Sequence, residues 1–143
     1  MPVYHTATED ETIAVGERIA RELPSHALVL LIGNLGAGKT TIAKGIVNGL
    51  GADDPDDVSS PTFTLIHEYG GGRVYHIDLY RLDHASEVET LGLDELLDRE
   101  AVTLIEWGER FPELWPPDRF EVELRADGDH RTIEFRLPQA NRA

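Results

Sequence analysis

The residues with the clearest chemical signature stand between positions 33 and 40. The chain reads GNLGAGKT there, which matches the phosphate-binding pattern G-x-x-x-x-G-K-[ST] at every position. Glycines let the backbone N–H groups of such a loop converge on phosphate oxygens, and the N-terminus of a following helix adds partial positive charge. The segment therefore predicts a P-loop between a buried strand and a helix, with Gly33, Gly36, Ala37 and Gly38 as nucleotide-binding residues.

Three residues at the end of this loop suit a bound nucleoside triphosphate. We expect Lys39 to reach the β- and γ-phosphates, Thr40 to bind Mg²⁺ through its hydroxyl, and Thr41 to donate its backbone N–H to the α-phosphate. Guanine-specific proteins carry an Asn/Thr-Lys-x-Asp motif. Neither Lys39 nor Lys44, the only lysines, is followed two residues later by Asp. The expected cofactors are therefore ATP and Mg²⁺.

Two acidic residues end apolar runs, where a second group for the metal is expected. Residues 74–78 end in Asp78, and residues 102–106 end in Glu106. A carboxylate in this position can hold the hydration shell of the metal or orient an attacking water, while the same pattern also suits a solvent-facing strand end. Because a P-loop lies in the same small chain, we interpret Asp78 and Glu106 as catalytic acids. Which of the two lies closer to the metal stays open at this point.

Two further residues each admit two interpretations. Thr62 lies in the segment SSPTFT, residues 59–64, and is either a catalytic switch that senses the γ-phosphate or part of a proline-anchored turn. Trp107 directly follows Glu106 and either packs in the core or stacks on the nucleotide base. Both residues therefore remain candidates for the nucleotide site.

Length, composition and charge narrow the class of protein. A chain of 143 residues with 41% hydrophobic residues is the size of one domain with one core. The formal net charge of −14 repels phosphate backbones and disfavours direct binding of nucleic acid. The longest apolar run has six residues, 27–32, whereas a membrane span needs roughly 20. Without cysteines or a secretory signal, the expected location is cytoplasmic, with no membrane contact.

Hydrophobic periodicity predicts the elements that position these residues. Capping boxes at residues 8–11 and 86–89 predict helix starts, and Gly92 predicts a break in the second helical region. The fully apolar run 27–32 predicts a central strand covered on both faces. The fold class is an α/β, P-loop NTPase-like single domain over residues 1–143, with a mixed parallel and antiparallel sheet flanked by helices and a frayed tail at about 138–143. The remaining elements are helices at 9–22 and 39–50, strands at 62–68, 74–78 and 102–106, and a terminal hairpin of 120–125 with 132–137.

Four segments taken together resemble the bacterial TsaE family. They are GNLGAGKTT (33–41), SPTFT (60–64), HIDLYR (76–81) and EWGER (106–110), and the likeness extends over nearly the whole chain. The family consists of small ATPases required for threonylcarbamoylation of the adenosine beside the tRNA anticodon. The resemblance implies ATP hydrolysis in a complex with the transferase TsaD and its companion TsaB. It does not imply that this chain modifies RNA itself, so contact with tRNA is expected only through the complex.

The resemblance also implies roles for single residues. The family's nucleotide loop falls on residues 36–41, with Thr40 as the Mg²⁺ ligand and Glu106 as the second metal-associated acid. Asp78 falls on the family's motif aspartate, and Thr62 on its switch threonine. Nucleotide contacts are further implied near Thr8 and Glu9 and from Arg131 in the terminal hairpin.

Two functions of other classes remain open. A small-molecule kinase would need an acceptor pocket and a cluster of arginines as a lid, and the arginines in this sequence are scattered. A non-hydrolysing, nucleotide-dependent interaction module would keep the P-loop and tolerate the loss of Asp78 and Glu106. Measured ATP turnover with candidate acceptors and with protein partners separates these functions from an ATPase.

Overall fold

The computed structural model describes residues 2–34, 36–54, 58 and 66–138. Within these residues, seven strands form one mixed sheet in the order β1-β7-β6-β2-β5-β4-β3. The strands are β1 Val3–Thr6, β2 Ala27–Ile32, β3 Ile66–Tyr69, β4 Val74–Asp78, β5 Val102–Glu106, β6 Phe120–Asp127 and β7 His130–Arg136. The helices are α1 Glu9–Ala20, α2 Lys39–Gly49, α3 Ala85–Glu89 and α4 Leu93–Leu97, with short 3₁₀ turns at Gly108–Arg110 and Pro112–Leu114.

The central strand β2 carries apolar side chains on both faces, as its sequence predicts. Val29 and Leu31 join the core cluster that α1 and α2 cover. Leu28 and Leu30 join a second cluster on the opposite face, with residues of α3, α4 and the 3₁₀ turns. The single α/β domain therefore has three layers, and the predicted fold class with its mixed sheet is confirmed.

The parallel strands β2, β5 and β4 bring their carboxyl ends to one edge of the sheet. Their register places Leu31 beside Glu106, and Glu106 beside Asp78. The backbone N–H of Leu79 donates to the carbonyl oxygen of Glu106 (3.1 Å) and extends this pairing past the end of β4. Because the glycine loop leaves β2 at the same edge, the loop and both predicted acids meet there.

The pair α1 and α2 supports the loop from one side, and glycines allow the two helices to approach closely. A Cβ atom at Gly45 would lie 2.1 Å from the carbonyl oxygen of Ile13, and one at Gly16 would lie 2.5 Å from that of Ile42. The start of α1 follows the predicted capping box, since the backbone N–H of Glu11 donates to Thr8 Oγ1 (3.1 Å).

Several predicted boundaries differ from the structure. The first helix ends at Ala20 rather than at residue 22. The capping box predicted at 86–89 is wrong, because the Glu87 carboxylate accepts the backbone N–H of His84 (3.0 Å), which makes His84 the residue that caps α3. The break at Gly92 is confirmed by its left-handed backbone, with φ of 73°. Strand β1 was not predicted, and the part of the first hairpin before Ile66 lies outside the described residues.

Two further expectations can be compared with the chain as described. None of the helices within the described ranges is long and apolar enough to cross a membrane. The predicted frayed tail lies almost wholly outside those ranges, which end at Pro138, and it stays a prediction.

Candidate functional site

A cavity of about 670 Å³ opens at the edge of the sheet where β2, β4 and β5 end. Its walls come from the start of α1, the glycine loop, the first turn of α2, the ends of β4 and β5, and the β6–β7 turn. Most of the residues predicted to bind nucleotide or metal line it together: Glu9, Gly36, Gly38, Lys39, Thr40, Thr41, Asp78, Glu106, Trp107 and Arg131.

Two predicted loop residues face a different hollow. Gly33 and Ala37 line a separate hollow of about 440 Å³ behind the loop, together with Glu109. A Cβ atom at Gly33 would lie 2.7 Å from the carbonyl oxygen of Leu124, and the Ala37 N–H donates to the carbonyl oxygen of Asn34 (3.0 Å). In this structure Gly33 and Ala37 thus shape the loop, and their contact with phosphate stays a prediction. The predicted switch residue, Thr62, lies outside the described residues.

The loop enters α2 through a left-handed residue, as its glycines require. Gly38 precedes the helix with φ of 105°, a backbone conformation that a side chain strongly disfavours. Arg131, from β7, donates through Nη2 to the carbonyl oxygen of Gly36 (3.4 Å) and through Nη1 to that of Gly128 (2.9 Å). The terminal hairpin therefore contacts the loop directly and supplies a cation to the cavity wall.

Lys39 is buried at the base of the cavity. Its Nζ donates to the carbonyl oxygen of Gly33 (2.8 Å) and lies 3.5 Å from the centre of the Trp107 ring. Burial lowers the pKa of Lys39, and the negative charges of Glu106, Glu109 and, less strongly, Asp78 oppose that shift. The ammonium is therefore partly shielded from water, contacts the Trp107 ring and experiences the negative charges of nearby carboxylates.

The two predicted acids are both buried and differ in their partners. Glu106 Oε2 accepts a hydrogen bond from His76 Nε2 (2.5 Å) and a long one from the Thr40 hydroxyl (3.5 Å). Asp78 Oδ1 accepts the backbone N–H of Tyr80 (2.8 Å). Thr40 and Glu106 are thus close enough to share one ion, and Asp78 follows beside Glu106 in the strand register.

Trp107 packs against the core only in part, and its stacking on a nucleotide base stays a prediction. It packs partly against the second core cluster and also lines the cavity, where its ring lies 5.2 Å from that of Tyr80. Its φ of 66° is the only positive value at a non-glycine residue among the described ones. Such a backbone costs about 1–3 kcal/mol and clusters at functional sites. The strained backbone holds the indole over Lys39.

Other residues at the site were not predicted. Thr12, Tyr80 and Asp129 line the cavity, and His76 and Glu109 lie behind its wall. Strand alternation could have found His76, because it precedes Asp78 by two residues and so shares its face. Asp129 lies in a turn between two strands, where no sequence pattern marks it. Among the described residues, no three His, Cys, Asp or Glu side chains group closely enough to hold a metal by themselves.

Comparisons with known proteins agree on one family. The sequence profile described as "Threonylcarbamoyl adenosine biosynthesis protein TsaE" matches residues 6–133. A tRNA threonylcarbamoyladenosine biosynthesis protein TsaE from Bacillus subtilis is 40% identical over 135 residues, which cover 92% of this chain and 83% of that protein. The protein of the same name from a Nostoc species is 41% identical, with coverage of 94% and 84%.

A solved structure supports the same assignment. The crystal structure of Bacillus subtilis YdiB superposes with a TM-score of 0.77 at 33% sequence identity and covers 97% of this chain and 86% of that one. The profile match and the curated relatives confirm the resemblance carried by the four sequence segments. This chain belongs to the TsaE family, whose members take part in the biosynthesis of threonylcarbamoyladenosine in tRNA.

Proposed function

We propose that this protein binds and hydrolyses Mg-ATP in support of threonylcarbamoyladenosine formation. The observation that carries the proposal is the meeting of Lys39, Thr40, Asp78 and Glu106 at the carboxyl edge of three parallel strands, in one cavity with the glycine loop. Open α/β sheets bind ligands in a crevice outside the carboxyl ends of their strands. A volume of about 670 Å³ is also within the range of ordinary small-molecule sites.

The residues present fit a magnesium ion by the chemistry of their donors. Mg²⁺ prefers oxygen ligands and binds through one or two protein side chains together with phosphates and water. The Thr40 hydroxyl and the Glu106 carboxylate supply such oxygens, since Thr40 Oγ1 lies 3.5 Å from the nearer oxygen of that carboxylate, and Asp78 is next to Glu106 in register. We assign Thr40 as the direct ligand and Glu106 as the acid that holds the ion's water. When bound, the ion would neutralise charge that develops on the phosphate oxygens.

The remaining residues bind and orient the triphosphate. Lys39 is buried and interacts electrostatically with Glu106 and Asp78, and it would reach the β- and γ-phosphates. Arg131, which contacts Gly36, supplies a second positive charge, and Glu9 and Trp107 also line the cavity. Asp78 accepts the backbone N–H of Tyr80, and we assign it the role of orienting an attacking water.

We further propose that the protein acts within a complex with TsaD and TsaB and meets tRNA only through them. Support comes from the family and from two features of this chain. Its net charge of −14 opposes direct contact with a phosphate backbone. Tyr80, at the rim of the cavity, is 47% exposed, and only one other large hydrophobic residue among those described is so exposed. A partner at this rim could complete the charge shell around the γ-phosphate.

The proposal is tested by ATP turnover, measured for the protein alone and with purified TsaB and TsaD. Glu106→Gln and Asp78→Asn should each lower turnover by at least about tenfold, or roughly 1.4 kcal/mol of barrier, while ATP still binds. Glu113→Gln changes an exposed carboxylate outside the cavity and is the matched control.

Four other outcomes would contradict the proposal in different ways. Wild-type turnover by both acid variants within the complex would favour a non-hydrolysing interaction module. Transfer of phosphate to an added small-molecule acceptor would favour a kinase. Tight binding of tRNA by this chain alone would contradict the proposal that it meets tRNA only through its partners. The lack of any complex with TsaB and TsaD under all nucleotide conditions would exclude these partners.

A further inference from the structure

Beneath the two acids lies a buried histidine that the proposed reaction does not itself use. His76 is fully buried in β4, and its Nε2 lies 2.5 Å from Glu106 Oε2. In the strand register His76 is beside Leu104, two residues before the pair of Asp78 and Glu106 and on the same face of the sheet. The hydrogen bond from His76 in β4 therefore directs the Glu106 side chain of β5 back towards the starts of these parallel strands.

Only one of the two ring nitrogens of His76, Nε2, has a hydrogen-bond partner among the described residues. Its Nδ1 is buried and has no partner among the described residues. An N–H at Nδ1 would be a buried donor without an acceptor, which is costly, so the ring proton belongs on Nε2, where the carboxylate accepts it. Among the residues that the structure describes, the imidazole thus has one polar contact, and that contact is Glu106.

The oxygens of Glu106 are used unequally. Both hydrogen bonds that the carboxylate accepts from described side chains, from His76 and from Thr40, end on Oε2. The contact from Thr40 is 3.5 Å long and holds the carboxylate weakly. His76 is therefore the group that fixes the rotation of Glu106, and Oε1 is the oxygen left for another ligand.

We propose that His76 is a positioning residue, which ties down Glu106 Oε2 so that Oε1 is presented to the water shell of a magnesium ion. The inference rests on the proposed function and deepens it by naming what orients the metal-associated acid. Second-shell partners of metal-binding groups commonly fix the geometry of those groups, and their loss weakens metal affinity by about 10- to 100-fold. Because Glu106 is only 4% exposed, loss of His76 would also leave its carboxylate buried without its nearest donor.

The test measures binding of ADP with Mg²⁺ and again with EDTA, so that no turnover is required. The ratio of the two dissociation constants is the magnesium enhancement of each variant. His76→Leu should reduce this enhancement by about tenfold while the constant in EDTA stays unchanged. His76→Gln, whose amide can occupy the place of Nε2, should restore it. His76→Asn, whose amide matches Nδ1, should not.

Two further variants separate positioning from a general loss of structure. Thr103→Val removes a buried polar group from β5 on the opposite face of the sheet and should keep the wild-type enhancement. In a Glu106→Gln background, His76→Leu should add no further loss, because both changes act through the same carboxylate. If His76→Leu does not fold, the comparison of the Gln and Asn variants carries the same prediction.

The outcomes distinguish this inference from the proposed function. Wild-type protein that does not bind ADP would overturn the proposed function and the inference with it. Wild-type protein that binds ADP with magnesium enhancement, while the folded His76 variants keep that enhancement in full, would overturn the inference alone. Additive losses from His76→Leu and Glu106→Gln would likewise overturn it, because they would indicate two independent effects.

Discussion

Lys39 Nζ lies 3.5 Å from the centre of the Trp107 ring while it donates to the carbonyl oxygen of Gly33. The ammonium thus already has two partners within the protein, a carbonyl oxygen and an aromatic face. Contact with an aromatic face is worth about 2 kcal/mol or more when the pair is shielded from water. For Lys39 to bind phosphate as we propose, part of this interaction must be exchanged for a stronger one with the triphosphate.

The first prediction concerns the charge of Lys39. Lys39→Ala should weaken binding of Mg-ATP by at least about tenfold, or about 1.4 kcal/mol, because a charge-assisted contact to phosphate is lost. Lys44→Ala, on the same helix and outside the cavity, is the matched control and should bind like wild type. Calorimetric titration of both variants decides the question. Wild-type affinity in Lys39→Ala would refute the assigned pocket.

The second prediction uses the indole of Trp107 as a reporter. If Lys39 leaves the ring when nucleotide binds, the electrostatic environment of Trp107 changes and its fluorescence should shift. Trp107→Phe should abolish the shift, because the remaining tryptophan, Trp115, is buried and donates to the carbonyl oxygen of Gly108 (2.7 Å). Fluorescence titration with ADP measures both proteins. A shift that persists in Trp107→Phe would place its source elsewhere.

The third prediction concerns the contact between α1 and α2. Gly45→Ala gains helix propensity, but its methyl group would lie 2.1 Å from the carbonyl oxygen of Ile13. The clash should dominate and lower stability by about 1–3 kcal/mol, with a fall of about 4–10 °C in Tm. Lys44→Ala also introduces alanine into α2, at a position outside this helix contact. Its Tm should therefore stay close to that of wild type. Equal melting temperatures for the two variants would show that the helices can separate freely.

Much of the site could be predicted because its signals are local. The glycine loop, its Lys-Thr pair and the acids at residues 78 and 106 follow from spacing within single elements. Parallel strands bring their carboxyl ends to one edge, so even the meeting of Asp78 and Glu106 with the loop could be expected. Strand β2 was also predicted with its bounds, because a fully apolar run of six residues suits a strand buried on both faces.

The features that escaped prediction depend on distant partners. Strand β1 has only four residues, is mostly exposed, and exists through its pairing with β7 at the other end of the chain. The position of the Trp107 ring depends on a left-handed backbone that its residue type disfavours. The pairing of His76 with Glu106 joins two strands 30 residues apart in sequence. Residue types alone carry no signal for such contacts.

The last prediction concerns Glu109, which lies behind the loop. Its Oε1 is buried without a partner among the described residues, and burial raises its pKa above the usual value near 4.5, against the opposing effects of its own backbone N–H and of Lys39. The folded state therefore binds this proton more tightly than the unfolded state, so stability falls as the pH rises through the raised pKa.

The Glu109→Gln variant has no side chain that titrates at this position, and its Tm should exceed that of wild type by about 2–4 °C at pH 8, with the difference vanishing near pH 4. Thermal unfolding at pH 4, 6 and 8 measures the difference, and Glu113→Gln, an exposed carboxylate nearby, controls for the loss of one negative charge. A difference that does not depend on pH would mean that the ionised carboxylate of Glu109 carries no burial cost.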